Sequence, residues 1–221
     1  MRFRTLFVVT IFLVLWRDAQ GQGFMNLDFE GATIAPTPVG GYTYPADPAQ
    51  AFPYWTVGGS GTVVMYNDLS IGSPAVSLMG PNFPNAVGYT PLQGSYSVLL
   101  QYFDIAGGPP TLSQTGLIPS SAQSIDFLVG NGQSDATVSL NGVSIPLVQI
   151  SGGRLAGDIS AFAGIVAQLT FSTKTGKGGF GDLSYFDDIH FSPLSVPEPS
   201  AFALSALGAL AIGWRSSRRK R

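Results

Sequence analysis

The chain has no cysteine, a single histidine and only 11% charged residues in 221 positions. Without cysteine there is no disulfide framework, no thiolate metal site and no cysteine nucleophile. Sparse charge combined with 28 glycines and 16 prolines excludes a coiled coil. Basic residues are nearly missing from the middle. Of the eleven, Arg2, Arg4 and Arg17 lie at the start and Arg215, Arg218, Arg219, Lys220 and Arg221 at the end, leaving Arg154, Lys174 and Lys177 between. Residues 22–196 carry eleven Asp and Glu against those three. Such a body lacks the clustered Lys and Arg that displace phosphate counterions, which excludes nucleic acid as a partner. One histidine and no cysteine also leave zinc short of ligands.

A mean hydropathy of +0.25 is high for so polar a middle, because apolar residues concentrate at the ends. Residues 1–21 place Arg2 and Arg4 before an eleven-residue apolar run from Leu6 to Trp16, with Ala19 and Gly21 behind it. That is the layout of a secretory signal for the Sec machinery, cleaved after Gly21. An uncleaved anchor is the other reading, and Arg17 and Asp18 behind the core are what leave it open. At the other end, residues 196–221 give Pro197, Glu198 and Pro199, then an apolar run over 201–214, then a basic stop of Arg215, Arg218, Arg219, Lys220 and Arg221. The two prolines fix φ and disfavour helix in the residue before each, so Glu198 is held extended, as a peptidase requires. As a helix the fourteen-residue run reaches about 21 Å, short of a hydrocarbon core of about 30 Å. Snorkelling from Arg215 makes up part of the deficit. The basic cluster stays cytoplasmic and the body lies outside. Ser205, Ala209 and Gly213 share a helical face of small residues, a spacing common in Ala-rich runs.

Residues 196–221 closely resemble the PEP-CTERM sorting signal of Gram-negative bacteria that make extracellular polymer. The resemblance implies that exosortase, a membrane cysteine peptidase-transpeptidase, recognises Pro197, Glu198 and Pro199 and removes the tail. It implies an exported protein, transiently anchored in the inner membrane and delivered to the cell surface or extracellular matrix. A plain C-terminal anchor is the alternative.

The body, 22–195, alternates short apolar-patterned segments with turn residues. Segments 136–140 and 143–148 flank Asn141-Gly142, the strongest short hairpin signal. Segments 95–103, 124–129, 165–171 and 183–191 also read as strands, as do 24–29 and 62–66. Only the tail shows a helical apolar stripe. Many short strands with Gly and Pro between them predict an all-β, antiparallel two-sheet sandwich of the jelly-roll kind, with the Pro-rich stretch 36–53 as a loop.

The body opens on Asn26-Leu-Asp-Phe-Glu-Gly31 and closes on Tyr185-Phe-Asp-Asp-Ile-His-Phe191, with Gln93–Leu100 and Gly157–Gly164 between them. Together these are similar to the carbohydrate-binding, galactose-binding-like jelly rolls of exported bacterial proteins. The resemblance implies a structural calcium near the pairing of first and last strands, with Glu30 and Asp188 as carboxylate ligands. On a strand Asp28 would face the same way as Glu30 and could join them. Exposed strand-end carboxylates are the alternative. Polysaccharide is the expected ligand, and Tyr42, Tyr44, Tyr54 and Trp55 are its candidate stacking residues; loop or core packing is the other reading, for Trp55 above all.

Other motifs point away from chemistry. Gly176–Gly181 matches G-x-G-x-x-G, but no helix follows it, so it reads as a hairpin loop. Gly58–Thr62 misses the last position of a nucleophile elbow. His190 sits in a strand without a serine partner. Glycoside hydrolysis needs only two carboxylates, and Asp28 with Glu30 is the pair to test. The sequence therefore points to a non-enzymatic exported glycan-binding or structural protein. A glycan-active hydrolase or lyase, or a purely structural matrix protein, stands as the alternative.

Overall fold

A computed structural model describes residues 22–34, 46–68, 73–81, 90–102, 108–174 and 182–196, with 131–134 described in the backbone only. The signal segment, Tyr42, Tyr44, the Gly176–Gly181 loop, the Pro197–Pro199 motif and the tail lie outside them. Among the described residues no helix is long and apolar enough to cross a membrane.

Among the described residues twelve strands form two sheets. The five-stranded sheet runs β1 (Thr56–Gly58), β5 (Thr111–Leu117), β11 (Val166–Thr173), β7 (Ala136–Leu140) and β8 (Val143–Ile145), in that spatial order. The seven-stranded sheet runs β2 (Val63–Tyr66), β3 (Ala75–Met79), β4 (Ser97–Tyr102), β12 (Asp182–Ser192), β6 (Ser124–Ser134), β10 (Arg154–Asp158) and β9 (Val148–Ile150). Pairing is antiparallel except for β2 with β3, which run parallel. The jelly-roll sandwich expected from the sequence is thus present, with one parallel pair in a mixed sheet. A short helix, α1 (Pro48–Ala51), interrupts the Pro-rich stretch; Asp47 caps it by accepting from the Ala49 amide at 2.9 Å.

Alternation explains why these segments are strands. In β5, β7 and β11 every second residue is buried, the larger apolar ones being Leu112, Val138, Leu140, Leu169 and Phe171. They face Ile125, Phe127, Leu155 and Phe186 of the other sheet. An aromatic cluster fills the centre: Phe171 stacks on Phe186 at 4.6 Å and meets Phe127 edge-on at 5.1 Å. The Asn-Gly turn forms as expected, with Asn141 at φ 49° and Gly142 at φ 79°, the left-handed pair that such hairpins require. Pro146 ends β8 early, so segment 143–148 is not one strand. The chain crosses there to the other sheet as β9.

Residues 24–29 are not a strand. The chain makes one bridge at Gly23 and then turns, with Asn26 at φ 52° and Phe29 at φ 58°. Asn26 builds that turn. Its Oδ1 accepts from the Gly31 amide at 2.8 Å, its Nδ2 donates to Pro53 O at 3.3 Å, and its carbonyl accepts from Trp55 Nε1 at 3.0 Å. The turn lowers Phe29 fully into the core.

Candidate functional site

The first motif and the last strand meet, though not as the paired strands that the resemblance implies. The Ile189 amide donates to Leu27 O at 3.0 Å. Their carboxylates, however, serve separate partners. Glu30 Oε1 accepts from the Ser95 and Tyr96 amides at 2.7 and 2.9 Å. Asp187 Oδ2 accepts from the Gln93 amide at 3.1 Å and from the Ser97 hydroxyl at 2.7 Å, while the Ser97 oxygen accepts from the Leu92 amide at 2.8 Å. Four amides of one loop are therefore fastened by Glu30, Asp187 and Ser97. Gly94 sits between them at φ 59°, and a Cβ there would lie 2.3 Å from Glu30 Oε1. Only glycine leaves room for the carboxylate. Burial pushes the Asp187 carboxyl up to about 7, against the hydrogen bonds from Ser97, Asp188 and Gln93.

Asp188 turns the other way. A bulge separates Asp187 from His190 on β12, with Asp188 at φ 50°. Arg154 of β10 reaches across β6 and grips the bulge. Its Nη1 donates to Asp188 Oδ2 at 2.7 Å, its Nη2 to Asp188 O at 2.5 Å, and its Nε to Asp126 Oδ1 at 2.5 Å. Nη2 also approaches His190 Nδ1 at 3.2 Å, and His190 Nε2 lies 2.9 Å from Asp188 Oδ1. Since a guanidinium only donates, Nδ1 is the acceptor and Nε2 carries the proton to Asp188. This four-residue knot escaped the sequence reading. Its one signal was that Arg154 is the sole cation between residues 22 and 173.

Calcium at Glu30, Asp28 and Asp188 does not fit this arrangement. The Arg154 guanidinium holds the place on Asp188 that a cation would take. Asp28 and Glu30 lie on a turn rather than one strand face, and Asp28 Oδ1 accepts only the Glu30 amide, at 3.4 Å. Among the described residues no three His, Asp or Glu side chains gather where they could hold a metal ion.

The aromatic candidates divide. Trp55 is 7% exposed, lies 5.5 Å from Phe29 and 6.3 Å from Phe171, and its indole N–H is already bound to Asn26 O. It is a core residue and presents no face to a sugar. Tyr54 is 63% exposed at φ 72°.

The outer face of the five-stranded sheet is the feature the sequence reading overlooked. Not one charged residue occurs in its five strands, whereas Asp126, Arg154, Asp158, Asp182, Asp187, Asp188 and His190 all lie in the other sheet. The register sets Thr56, Ser113, Thr170, Ser139 and Ser144 side by side, one from each strand. Thr111, Ser172 and Thr137 form a second row. Neighbouring hydroxyls in a row are about 4.8 Å apart, and rows about 6.8 Å apart. Where Pro146 ends β8, the rows run into a cleft of about 370 Å³ lined by Thr137, Ser144, Pro146, Leu147, Gln149 and the exposed Lys174, among others. The readable signal was Ser and Thr alternating with apolar residues in strands without charge.

No curated protein matches the chain in sequence. Among solved structures it is similar to the enzymatically active domain of tailspike protein 4 from bacteriophage CBA120, at 16% identity and TM-score 0.35. That match covers 63% of this chain and only 20% of the tailspike chain. It is also similar to TmCBM61, solved in complex with β-1,4-galactotriose, again at 16% identity and TM-score 0.35, covering 77% of this chain and 97% of that one. Overlap that loose extends to neither ligand nor chemistry. The C-terminal segment is different: residues 195–220 match the PEP-CTERM protein-sorting motif. The chain carries a PEP-CTERM sorting motif, the mark of an exported protein processed by exosortase.

Proposed function

We propose that this is a cell-surface or extracellular-matrix protein of the bacterial envelope whose β-sandwich binds glycan without cleaving it. The observation that carries the reading is the sorting motif at 195–220, which resembles the signals of bacteria that make extracellular polymer. Sec delivers the chain, the apolar run 201–214 holds it in the inner membrane, and exosortase acts at Pro197–Pro199. Binding rather than catalysis is favoured by what the carboxylates do. Glu30 and Asp187 fasten a loop, and Asp126 and Asp188 hold Arg154, so each of these carboxylates is already engaged by groups of the protein.

The test incubates the full-length chain in mild detergent with a panel of polysaccharides, reading retention and newly formed reducing ends together. Retention without new reducing ends is expected. Reducing ends that disappear with Glu30→Gln would instead establish the hydrolase.

A further inference from the structure

Charge is segregated between the two sheets of this sandwich. All 26 residues of β1, β5, β7, β8 and β11 are uncharged, in a body where acid outnumbers base eleven to three. The outward positions are mostly hydroxyls and amides instead, with Leu117 and the half-exposed Val166 as apolar exceptions. Each hydroxyl donates once and accepts twice, which is the hydrogen-bonding capacity of a sugar hydroxyl. Ser172 turns its hydroxyl to Pro110 O at 2.8 Å, and Ser113 makes a longer 3.5 Å contact to Thr56 O. Among the described residues the hydroxyls of Thr170, Ser139 and Ser144 have no such partner. The two edge strands, β1 and β8, are three residues each, so the face is protected from edge pairing by shortness and not by lysines.

Resting on the glycan-binding reading above, we infer that the outer face of the five-stranded sheet is its docking surface, and that the partner is an uncharged polysaccharide. The chain lies along the Thr56–Ser113–Thr170–Ser139–Ser144 row and enters the cleft beyond β8. The strand rows offer a uronate or sulfate nothing to pair with, Lys174 at the cleft is a single cation, and the acidic body repels such polymers. For a neutral glycan the absence of charge in the strands is an advantage, because no side-chain charge along the rows has to be stripped of water on docking. A flat array also needs no aromatic platform, in agreement with the burial of Trp55.

The experiment compares the full-length chain in mild detergent with Thr170→Glu, and with Thr33→Glu as a charge control away from the face. Retention is measured on cellulose, a galactan and a β-1,3-glucan as neutral probes and on polygalacturonate as the acidic one. Melting curves confirm that both variants fold. The inference predicts retention on at least one neutral polymer, weakened at least roughly tenfold by Thr170→Glu, since the new carboxylate would be buried under the glycan. Thr33→Glu should bind as the wild type does. Neutral retention that Thr170→Glu leaves unchanged overturns the docking face but keeps the glycan reading. Retention on polygalacturonate alone overturns the ligand class. A change of oligomeric state with Thr170→Glu, at unchanged retention, assigns the face to a second copy instead. No retention on any polymer overturns both this inference and the reading beneath it.

Discussion

Asp187→Asn should remove most of a pH dependence of stability that the wild type shows between pH 4 and 7. The carboxyl is fully buried beneath the loop that carries Gln93 and Ser97. Burial raises it from its ordinary 3.8 to about 7, outweighing hydrogen bonds from Ser97, the Asp188 amide and the Gln93 amide, and the nearby Asp188 adds a smaller push. Between those two values the folded chain keeps a proton that the unfolded chain has released. Stability therefore falls as pH rises through the window, and is highest below about pH 4 as far as this group is concerned. At about 1.36 kcal/mol per pKa unit the full swing is on the order of 4 kcal/mol. Asp158 works in the opposite sense: the Ser160 amide and hydroxyl hold it low, so its contribution is lost as pH falls. That effect is common to both proteins and cancels in their difference. Urea unfolding at pH 4, 5.5 and 7.5 gives the comparison. A wild-type-minus-variant difference that stays level across the three would contradict the burial of Asp187.

The second large effect is in the aromatic centre. Phe171 meets Phe186, Phe127 and Trp55 at ring distances of 4.6, 5.1 and 6.3 Å and joins the two sheets. Phe171→Ala should cost about 3–5 kcal/mol, from lost transfer energy and the cavity left behind. Trp55→Ala should fall in the same range, with the added loss of its bond to Asn26 O. Tyr54→Ala, at an exposed position, should stay within about 0.5 kcal/mol of wild type. Denaturant midpoints decide it. A Trp55→Ala protein as stable as Tyr54→Ala would return Trp55 to the surface and to the list of sugar-stacking candidates.

Those residues show where sequence pattern suffices and where it does not. The Asn141-Gly142 turn, β2, β4, β6, β11 and β12 are legible because period-2 alternation or a bounded apolar run survives in each. β5 is harder to see, since Thr-Leu-Ser-Gln-Thr-Gly-Leu alternates around a mid-strand glycine and polar residues. β3 is buried at every position, so it has no alternation to read. The turn at 24–29 looked like a strand because its apolar spacing is right; two left-handed residues, Asn26 and Phe29, overrule it. The calcium expectation did not reckon with long-range partners. Nothing local announces that Arg154 will reach Asp188, or that Glu30 will fasten amides 65 residues away. The sorting segment needed no folding to be read, because its motif, apolar run and basic stop follow one another in the sequence.

Export and exosortase handling are the centre of this account, and terminal-peptide mass spectrometry on protein recovered from its native host tests them most directly. Mature termini near Gln22 and within or just after Pro197–Ser200 are predicted. A chain still ending at Arg221 would contradict the account and leave an ordinary membrane-tethered protein.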